Sequence, residues 1–271
     1  MPEIVEVQIQ TEGLREQILN DMIMNIKFMD KGDKIVLPIN PIDFTNQVKG
    51  KRIQDVFRIG KYIVFKLDET LYLATHLRMT GRYLIDVPEE EIGHTRIVFE
   101  LESGKNLRYS DVRVFGRMTL VQDLKYLKKG LDVWDASPEE ITNHILNVRE
   151  KFKNKNLKEF FTHQGILCGL GNVYANELLF RLNLHPGKLV QELKSEDIIK
   201  ISKEMKDMLK WSYELGGLSM KDYYHVDGSK GKTQEHLNVY QKQSCPNCGT
   251  KIERTEEFDK RATFFCPNCQ R

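Results

Sequence analysis

The strongest constraint on this chain is a pair of C-x-x-C motifs close to its C-terminus. Cys245 and Cys248 form the first motif, Cys266 and Cys269 form the second, and 17 residues separate the two. Each C-x-x-C turn can deliver two thiolates to one tetrahedral ion, so this spacing predicts a single structural zinc ion with four cysteine ligands. A redox dithiol pair and disulfides are the alternatives, but disulfides are rare in the cytoplasmic setting that we expect for this chain.

The spacer between the two motifs predicts a short β-hairpin. KIER (251–254) and RATFF (261–265) favour strands, and the polar TEEFDK (255–260) favours a turn. A zinc-supported hairpin commonly presents basic or aromatic residues to a partner, and this one carries Arg261. The remaining cysteine, Cys168, lies in an apolar stretch and is predicted to be a buried small hydrophobe.

Composition bounds the class of protein. A chain of 271 residues is long enough for two domains, and 40% hydrophobic with 30% charged residues predicts a soluble globular protein. No apolar run approaches the roughly 18 residues of a membrane span. The N-terminal segment carries acids where a signal peptide has a basic end, so we expect a cytoplasmic protein. The formal charge of +2 excludes a histone-like polycation but permits a local basic face.

Hydrophobic patterning predicts an α+β fold. An N-terminal helix is expected because Ile4, Val7, Leu14 and Ile18 share one helical face, although polar Gln10 and Thr11 interrupt it. From about 22 to 121, short β-branched and aromatic runs alternate with turn signals, which predicts an antiparallel β-sandwich that includes a strand-like run at 47–57.

From about residue 134 the pattern becomes helical. A helix is predicted at Ser137-Pro138, where a cap residue precedes Pro and two acids, and a long one from Ser195 to Glu214. A short helix near 157–162 and another that starts at Gly171 lie between them. The predicted order is therefore helix, antiparallel β-sandwich, helical domain and zinc hairpin.

Two features of the helical region favour a polyanionic partner. Residues 149–158 hold five basic side chains against one acid, although such a run is commonly just a solvated face. The glycines of GLGN (169–172) precede a helix and would leave backbone N–H groups free for a phosphate, although the same glycines also suit a tight turn. Together with Arg261, these features predict binding to a nucleic-acid duplex.

Seven motifs in a fixed order resemble the formamidopyrimidine-DNA glycosylase family (Fpg/MutM), which is related to endonuclease VIII. They are Pro2-Glu3, GKY (60–62), HLRMTGR (76–82), YSDVRVFG (109–116), GLGNVYANELLFRLNLHP (169–186), GG (216–217) and RATFFCPNC (261–269). The resemblance runs the whole length. It implies an N-terminal catalytic β-sandwich domain (2–132), a helix-two-turn-helix DNA-binding domain (133–222), and a lesion-loop segment with a zinc finger (223–271).

The resemblance implies a bifunctional DNA glycosylase and AP lyase that excises oxidised bases. Removal of Met1 would expose Pro2 as an N-terminal secondary amine, and an α-amino group has a pKa near 8 that leaves much of it nucleophilic. Glu3 would be the acid/base group at a helix N-terminus. Lys61 would donate the proton for β-elimination, and Arg261 would grip the flanking phosphate and assist δ-elimination.

The resemblance also implies a set of DNA contacts, because a flipped base leaves a gap in the stack that side chains must fill. These residues are Met79, Arg113 and Phe115 for the gap, Asn172 for a phosphate, and His94 and Lys153 for further contacts. The partner would be double-stranded DNA that contains damaged bases, bound by a monomer that works with the nucleoid.

Departures from the family pattern leave the lesion open. They are Val5, Gln8, Val114, His163 and the segment 218–240, which corresponds to the family's loop over the flipped base. The substrate could be 8-oxoguanine, formamidopyrimidines or, as in endonuclease VIII, oxidised pyrimidines. A non-catalytic damaged-DNA-binding protein on the same scaffold is the alternative of another class, and intact Pro2, Glu3 and Lys61 argue against it.

Overall fold

A computed structural model of the chain describes residues 2–88, 90, 93–220 and 223–271. The chain divides into two compact units. The first unit comprises Met1–Lys128 and Leu215–Gln234, and the second comprises Lys129–Glu214 and Glu235–Arg271.

The first unit is built on two four-stranded antiparallel sheets, so the predicted β-sandwich is confirmed. Its strands are β1 (Ile23–Phe28), β2 (Asp55–Ile59), β3 (Tyr62–Lys66), β4 (Tyr72–His76), β5 (Gly81–Ile85), β6 (Thr95–Leu101), β7 (Asn106–Asp111) and β8 (Arg117–Val121). One sheet has the order β1-β6-β7-β5 and the other β2-β3-β4-β8. Aromatic side chains such as Phe44, Phe99 and Tyr109 lie fully or almost fully buried in the core of this unit.

The N-terminal helix α1 (Ile4–Ile18) is confirmed and packs against β2, β3 and β5. The polar residues that interrupt its apolar face are buried with it. Gln10 donates to the carbonyls of Tyr83 (3.1 Å) and Tyr224 (2.9 Å), and its Oε1 accepts from Tyr83 N–H at 2.9 Å. An amide side chain can be buried in a core when its donors and acceptor are all paired with backbone groups in this way.

The strand expected at 47–57 is wrong for its first half. Helix α2 (Pro41–Val48) covers the start of that run, and β2 begins only at Asp55. The helix has its own local signals, since Asn40 accepts from the backbone N–H of Asp43 at 2.9 Å and Pro41 occupies the first turn. These capping signals favour a helix more strongly than the β-branched residues that follow favour a strand.

The second unit contains the predicted helices and the hairpin. Its elements are β9 (Leu131–Asp132), α3 (Pro138–Val148), α4 (Leu157–Thr162), β10 (Leu167–Cys168), α5 (Asn172–Arg181), α6 (Ser195–Glu214), β11 (Glu253–Thr255) and β12 (Thr263–Phe265). Ser137 and Glu140 form a capping box at α3, as the sequence predicts. Strands β11 and β12 pair antiparallel, and Cys168 is buried in β10.

No helix among the described residues is both long and apolar enough to cross a membrane.

Replacement of Gln10 by Leu tests the buried amide of α1. Gln10→Leu keeps the side-chain size but leaves one backbone N–H and two carbonyls without their partner, so we expect a loss of about 3 kcal/mol in the free energy of unfolding. Urea denaturation measures it. Gln17→Leu, on the same helix but only half-buried, is the matched control. Equal stability of the two variants would contradict this account.

Candidate functional site

The first predicted site residues lie at the N-terminus of α1. Pro2 and Glu3 are both buried, and Glu3 is the N-cap residue. Its carboxylate accepts from the backbone N–H of Glu6, and the Glu6 carboxylate accepts from the backbone N–H of Glu3 at 2.7 Å. This reciprocal capping box holds the Glu3 carboxylate at the positive end of the helix dipole, where negative charge is favoured.

The segment that starts at Leu215 packs against this helix end. Leu218 N–H donates to the other carboxylate oxygen of Glu6 at 2.9 Å, and the Tyr223 hydroxyl donates to the Glu6 carbonyl at 2.6 Å. Burial and the nearby charge of Glu6 raise the pKa of Tyr223 well above its usual value, so its hydroxyl remains a proton donor. Pro2, Leu218 and Tyr223 line one small cavity together with Met220.

The loop to which that segment belongs is only partly described. Lys221 and Asp222 lie outside the described residues, as does Met1. Tyr223 is a residue that sequence reasoning did not identify.

Lys61 is buried and directly precedes β3. The turn before it passes through Gly60 with φ of +57°, a left-handed conformation that suits glycine. Arg58 donates to the Gly60 carbonyl at 2.9 Å and to Gln8 Oε1 at 2.8 Å. Gln8, a departure from the family pattern, therefore ties the turn that carries Lys61 to helix α1. Arg58 is a residue that sequence reasoning missed.

The three residues expected to fill the gap in the DNA stack lie close together. The Arg113 guanidinium lies over the Phe115 ring at 4.6 Å from its centroid. Met79 and Phe115 are large apolar side chains that remain 39% and 47% exposed, and they line one cleft of about 380 Å³ with Arg78 and Arg117. Exposed apolar side chains that share a cleft with guanidinium groups are suited to contact bases.

Asp111 organises the loop that carries these residues. Its carboxylate accepts from the Thr80 hydroxyl (2.5 Å), from Arg113 N–H (3.2 Å) and from Gly116 N–H (2.8 Å). The loop needs this support because Val114 has φ of +58°, which is costly for a β-branched residue. Sequence reasoning found the side chains that face outward and missed the buried acid that holds them.

His94 and Lys153 are exposed and lie in different units. The His94 carbonyl accepts from Asp111 N–H at 3.1 Å, which joins its loop to the end of β7. Lys153 pairs with Glu150 at 3.5 Å on an exposed turn.

Asn172, the first residue of α5, contacts the zinc hairpin. Its amide donates to the Ala262 carbonyl at 2.9 Å, next to Arg261 in sequence. Its Oδ1 accepts from the ammonium group of Lys158 at 2.6 Å. Lys158 is fully buried, so the basic run at 149–158 is not a uniformly solvated face.

The four C-terminal cysteines form one cluster whose Sγ atoms all lie within 4.8 Å of one another. Three S–S distances are 3.4, 3.6 and 3.8 Å. A tetrahedral ion with Zn–S bonds of about 2.3 Å requires S–S separations of about 3.8 Å. A disulfide requires about 2.05 Å. The donor set therefore fits one structural Zn²⁺, and the S–S distances are those of free thiols and not of disulfides.

The thiols of the cluster lie in different environments. The Thr250 hydroxyl, Asn268 and the Thr250 backbone lower the pKa of the Cys248 thiol to about 5. Burial raises the pKa of the Cys266 thiol, and the neighbouring Cys248 raises that of Cys269 to about 12. Of these three, Cys248 forms the thiolate that binds zinc most readily. Cys245 and Cys266 are buried in a small core with Phe180 and Ile252.

Sequence models of three domain families match successive parts of the chain. The formamidopyrimidine-DNA glycosylase N-terminal domain matches 1–118, the H2TH domain of the same enzyme matches 134–223, and the zinc finger found in FPG and IleRS matches 242–271. The formamidopyrimidine-DNA glycosylase of Pediococcus pentosaceus is 35% identical over 276 residues, which cover 100% of this chain and 99% of that protein. This chain belongs to the formamidopyrimidine-DNA glycosylase family.

Other members of the family agree with this assignment. The formamidopyrimidine-DNA glycosylase of Heliobacterium modesticaldum is 36% identical over 285 residues, with 100% of both chains covered. The Lactococcus lactis Fpg in complex with DNA containing an abasic site superimposes with a TM-score of 0.87 at 30% identity. The wild-type Lactococcus lactis Fpg with DNA containing N7-benzyl-Fapy-dG gives 0.86 at 31%. Both structures cover 100% of this chain and 100% of theirs.

Metal analysis tests the cysteine cluster. We expect one zinc ion per chain in the wild-type protein and a loss of stoichiometric zinc in Cys248→Ser, because a hydroxyl replaces one thiolate of the tetrahedral set. Cys168→Ala is the matched control and should retain one zinc ion. A Cys248→Ser protein with full zinc content would contradict the ligand set.

Replacement of Asp111 tests the loop that carries Arg113 and Phe115. Asp111→Asn removes the charge and leaves one amide nitrogen that cannot accept, so we expect a loss of about 2 kcal/mol in the free energy of unfolding. We also expect faster hydrogen exchange at the amides of Arg113 and Gly116. Asp33→Asn, at an exposed acid of the same unit, should change neither quantity. Unchanged exchange in Asp111→Asn would show that another group orders the loop.

Proposed function

We propose that this chain is a bifunctional DNA glycosylase and AP lyase that removes oxidised bases from double-stranded DNA. The observation that carries the proposal is the full-length match to formamidopyrimidine-DNA glycosylases, together with the buried Pro2-Glu3 pair at the start of α1. A non-catalytic DNA-binding protein would have no need for a nucleophile, an acid/base group and a buried lysine at the family's three positions.

Pro2 is the nucleophile in this proposal once Met1 has been removed. Its nitrogen forms a bond to C1′ of the damaged nucleotide while the bond from C1′ to the base breaks, and the base leaves with the electron pair and takes up a proton. The nitrogen then loses its proton, and its lone pair expels O4′, which is protonated as the sugar ring opens. The product is a charged iminium, because a secondary amine has no proton left to lose.

The iminium is an electron sink that makes strand cleavage possible. Loss of the C2′ proton breaks the C3′–O bond in β-elimination, and loss of the C4′ proton breaks the C5′–O bond in δ-elimination. Glu3 exchanges protons with the sugar, and Lys61 donates a proton in the β step. Arg261 holds the flanking phosphate and assists the δ step, and water finally hydrolyses the iminium to free Pro2.

The remaining site residues bind DNA in this proposal. Met79 and Phe115 are the apolar wedges of the gap left by the flipped base, and Arg113 faces the orphaned partner base. Asn172, His94 and Lys153 make backbone contacts that hold the duplex in register. The four-cysteine zinc site is structural in this proposal. It supports the hairpin that carries Arg261 and takes no part in the reaction.

The finer organisation is also a proposal. We assign catalysis to 2–132, duplex binding to 133–222, and lesion contact with zinc support to 223–271. The protein works as a monomer on the nucleoid of a bacterial cell. Its bacterial relatives support the bacterial setting.

Oxidised purines are the favoured substrates. Met79-Thr80 and the Arg113-Val114-Phe115 triplet match the formamidopyrimidine side of the family more closely than the endonuclease VIII side. The Lactococcus lactis relatives were solved with abasic-site DNA and with DNA that contains a formamidopyrimidine derivative.

Borohydride trapping on duplexes with single lesions tests the proposal. We expect a covalent adduct on 8-oxoguanine or formamidopyrimidine duplexes, and mass spectrometry should locate it on the N-terminal peptide at Pro2. Pro2→Gly should excise the base at least roughly 100-fold more slowly, because the pre-oriented secondary amine is lost.

Three results would count against parts of this proposal. Absence of an adduct on every oxidised lesion would contradict the enzyme assignment and favour the binding protein. An adduct on oxidised pyrimidines alone would favour the endonuclease VIII type. An adduct on an internal peptide would exclude Pro2 as the nucleophile.

A further inference from the structure

A buried carboxylate lies behind Arg261 in the second unit. The Asp259 side chain is only 3% exposed, although Glu256, Glu257 and Lys260 of the same hairpin turn are exposed. Its Oδ2 accepts from Lys158 Nζ at 3.1 Å and from the Thr162 hydroxyl at 3.2 Å. Lys158 is 0% exposed, so this is a desolvated ion pair between helix α4 and the turn.

The same carboxylate binds the Arg261 guanidinium along one edge. Arg261 Nε donates to Asp259 Oδ2 at 2.9 Å, and Nη2 lies 2.6 Å from the same oxygen. Arg261 N–H donates to Oδ1 at 3.1 Å, so both the backbone and the side chain of Arg261 are oriented by one acid. The Arg261 side chain is nevertheless 42% exposed.

This geometry leaves part of the guanidinium available. A guanidinium has five N–H donors in a planar fork, and Asp259 engages the Nε–Nη2 edge. The opposite edge, formed by Nη1 and the second hydrogen of Nη2, can still make the two parallel hydrogen bonds that a phosphate accepts. Two cations share one carboxylate in this cluster, so it keeps a net positive charge for an anion.

We propose that Asp259 is a positioning residue that aims the Arg261 guanidinium at the DNA phosphate, with Lys158 as the buried cation that fixes Asp259. The inference rests on the proposed function, since it concerns the phosphate contact of the δ-elimination step. Asp259 touches neither DNA nor the reacting atoms. It acts by removing the rotamer freedom of Arg261 before DNA binds, so that the entropy cost is not incurred in the complex.

A purely electrostatic role for Asp259 and a positioning role predict opposite effects of its replacement on δ-elimination. An acid next to a phosphate site repels DNA, so Asp259→Asn would bind DNA more tightly and cleave faster if charge were its only effect. Positioning predicts slower δ-elimination despite the more favourable charge. The two accounts therefore differ in sign.

The experiment compares Asp259→Asn with Glu257→Gln under single-turnover conditions on an abasic-site duplex. Glu257 is an exposed acid on the same turn, so its replacement removes the same charge without loss of the Arg261 contact. We expect δ-elimination to fall roughly 10- to 100-fold in Asp259→Asn and to stay within about twofold of wild type in Glu257→Gln. Pro2 adduct formation by borohydride trapping should remain near wild type in both.

A second variant separates positioning from folding. Asp259→Asn leaves the Lys158 ammonium buried without its anion, which destabilises the turn on its own. The double variant Lys158→Met with Asp259→Asn removes that buried charge. It should restore thermal stability and keep the zinc content of the wild-type protein while δ-elimination stays slow.

The outcomes distinguish the two levels of proposal. A wild-type protein that forms no adduct would overturn the proposed function. Normal wild-type chemistry, with equal δ-elimination in Asp259→Asn and Glu257→Gln, or recovery of δ-elimination in the double variant, would overturn the role of Asp259 alone.

Discussion

The candidate catalytic centre depends on the hydrogen bonds that the Glu6 carboxylate accepts. One of its oxygens accepts from the backbone of Glu3, and the other accepts from Leu218. A charge-assisted hydrogen bond of this kind contributes about 1.5–3 kcal/mol, and its loss would leave a buried charge with fewer partners. The same side chain therefore caps α1, orients the Glu3 carboxylate and fastens the segment after Gly217 to the helix end that carries Pro2.

Other buried acids also hold loops in place by accepting hydrogen bonds. Asp111 accepts from the loop that carries Arg113 and Phe115, and Asp259 accepts from Arg261 on the hairpin turn. Glu177 of α5 accepts from the backbone N–H groups of Asn238, Val239 and Tyr240. Buried cations accompany these acids, among them Arg58, Lys61, Arg82, Arg96 and Lys158. Burial therefore removes charge of both signs from the surface.

Most of the fold followed from the sequence because its signals are local. The capping box of Ser137, the glycines before α5 and the alternating runs of the sandwich act over a few residues and do not depend on distant partners. The strand predicted at 47–57 is wrong in its early part because another local signal is stronger. The capping residues Asn40 and Pro41 start a helix that runs to Val48. Gln10 and Lys158 could not be interpreted from pattern alone, because their hydrogen-bond partners lie far away in the chain.

The sequence by itself determined the zinc ligands, the order of elements and the family, because each rests on residue type and spacing. It also named the outward-facing side chains of the candidate site. Only the tertiary structure decided which groups hold those side chains in place: Glu6 with Tyr223, Arg58 with Gln8, Asp111 with Thr80, and Asp259 with Lys158. The physical reason is that a buried polar residue takes its role from the donors and acceptors that folding brings to it, and these are separated by up to 217 residues in the chain.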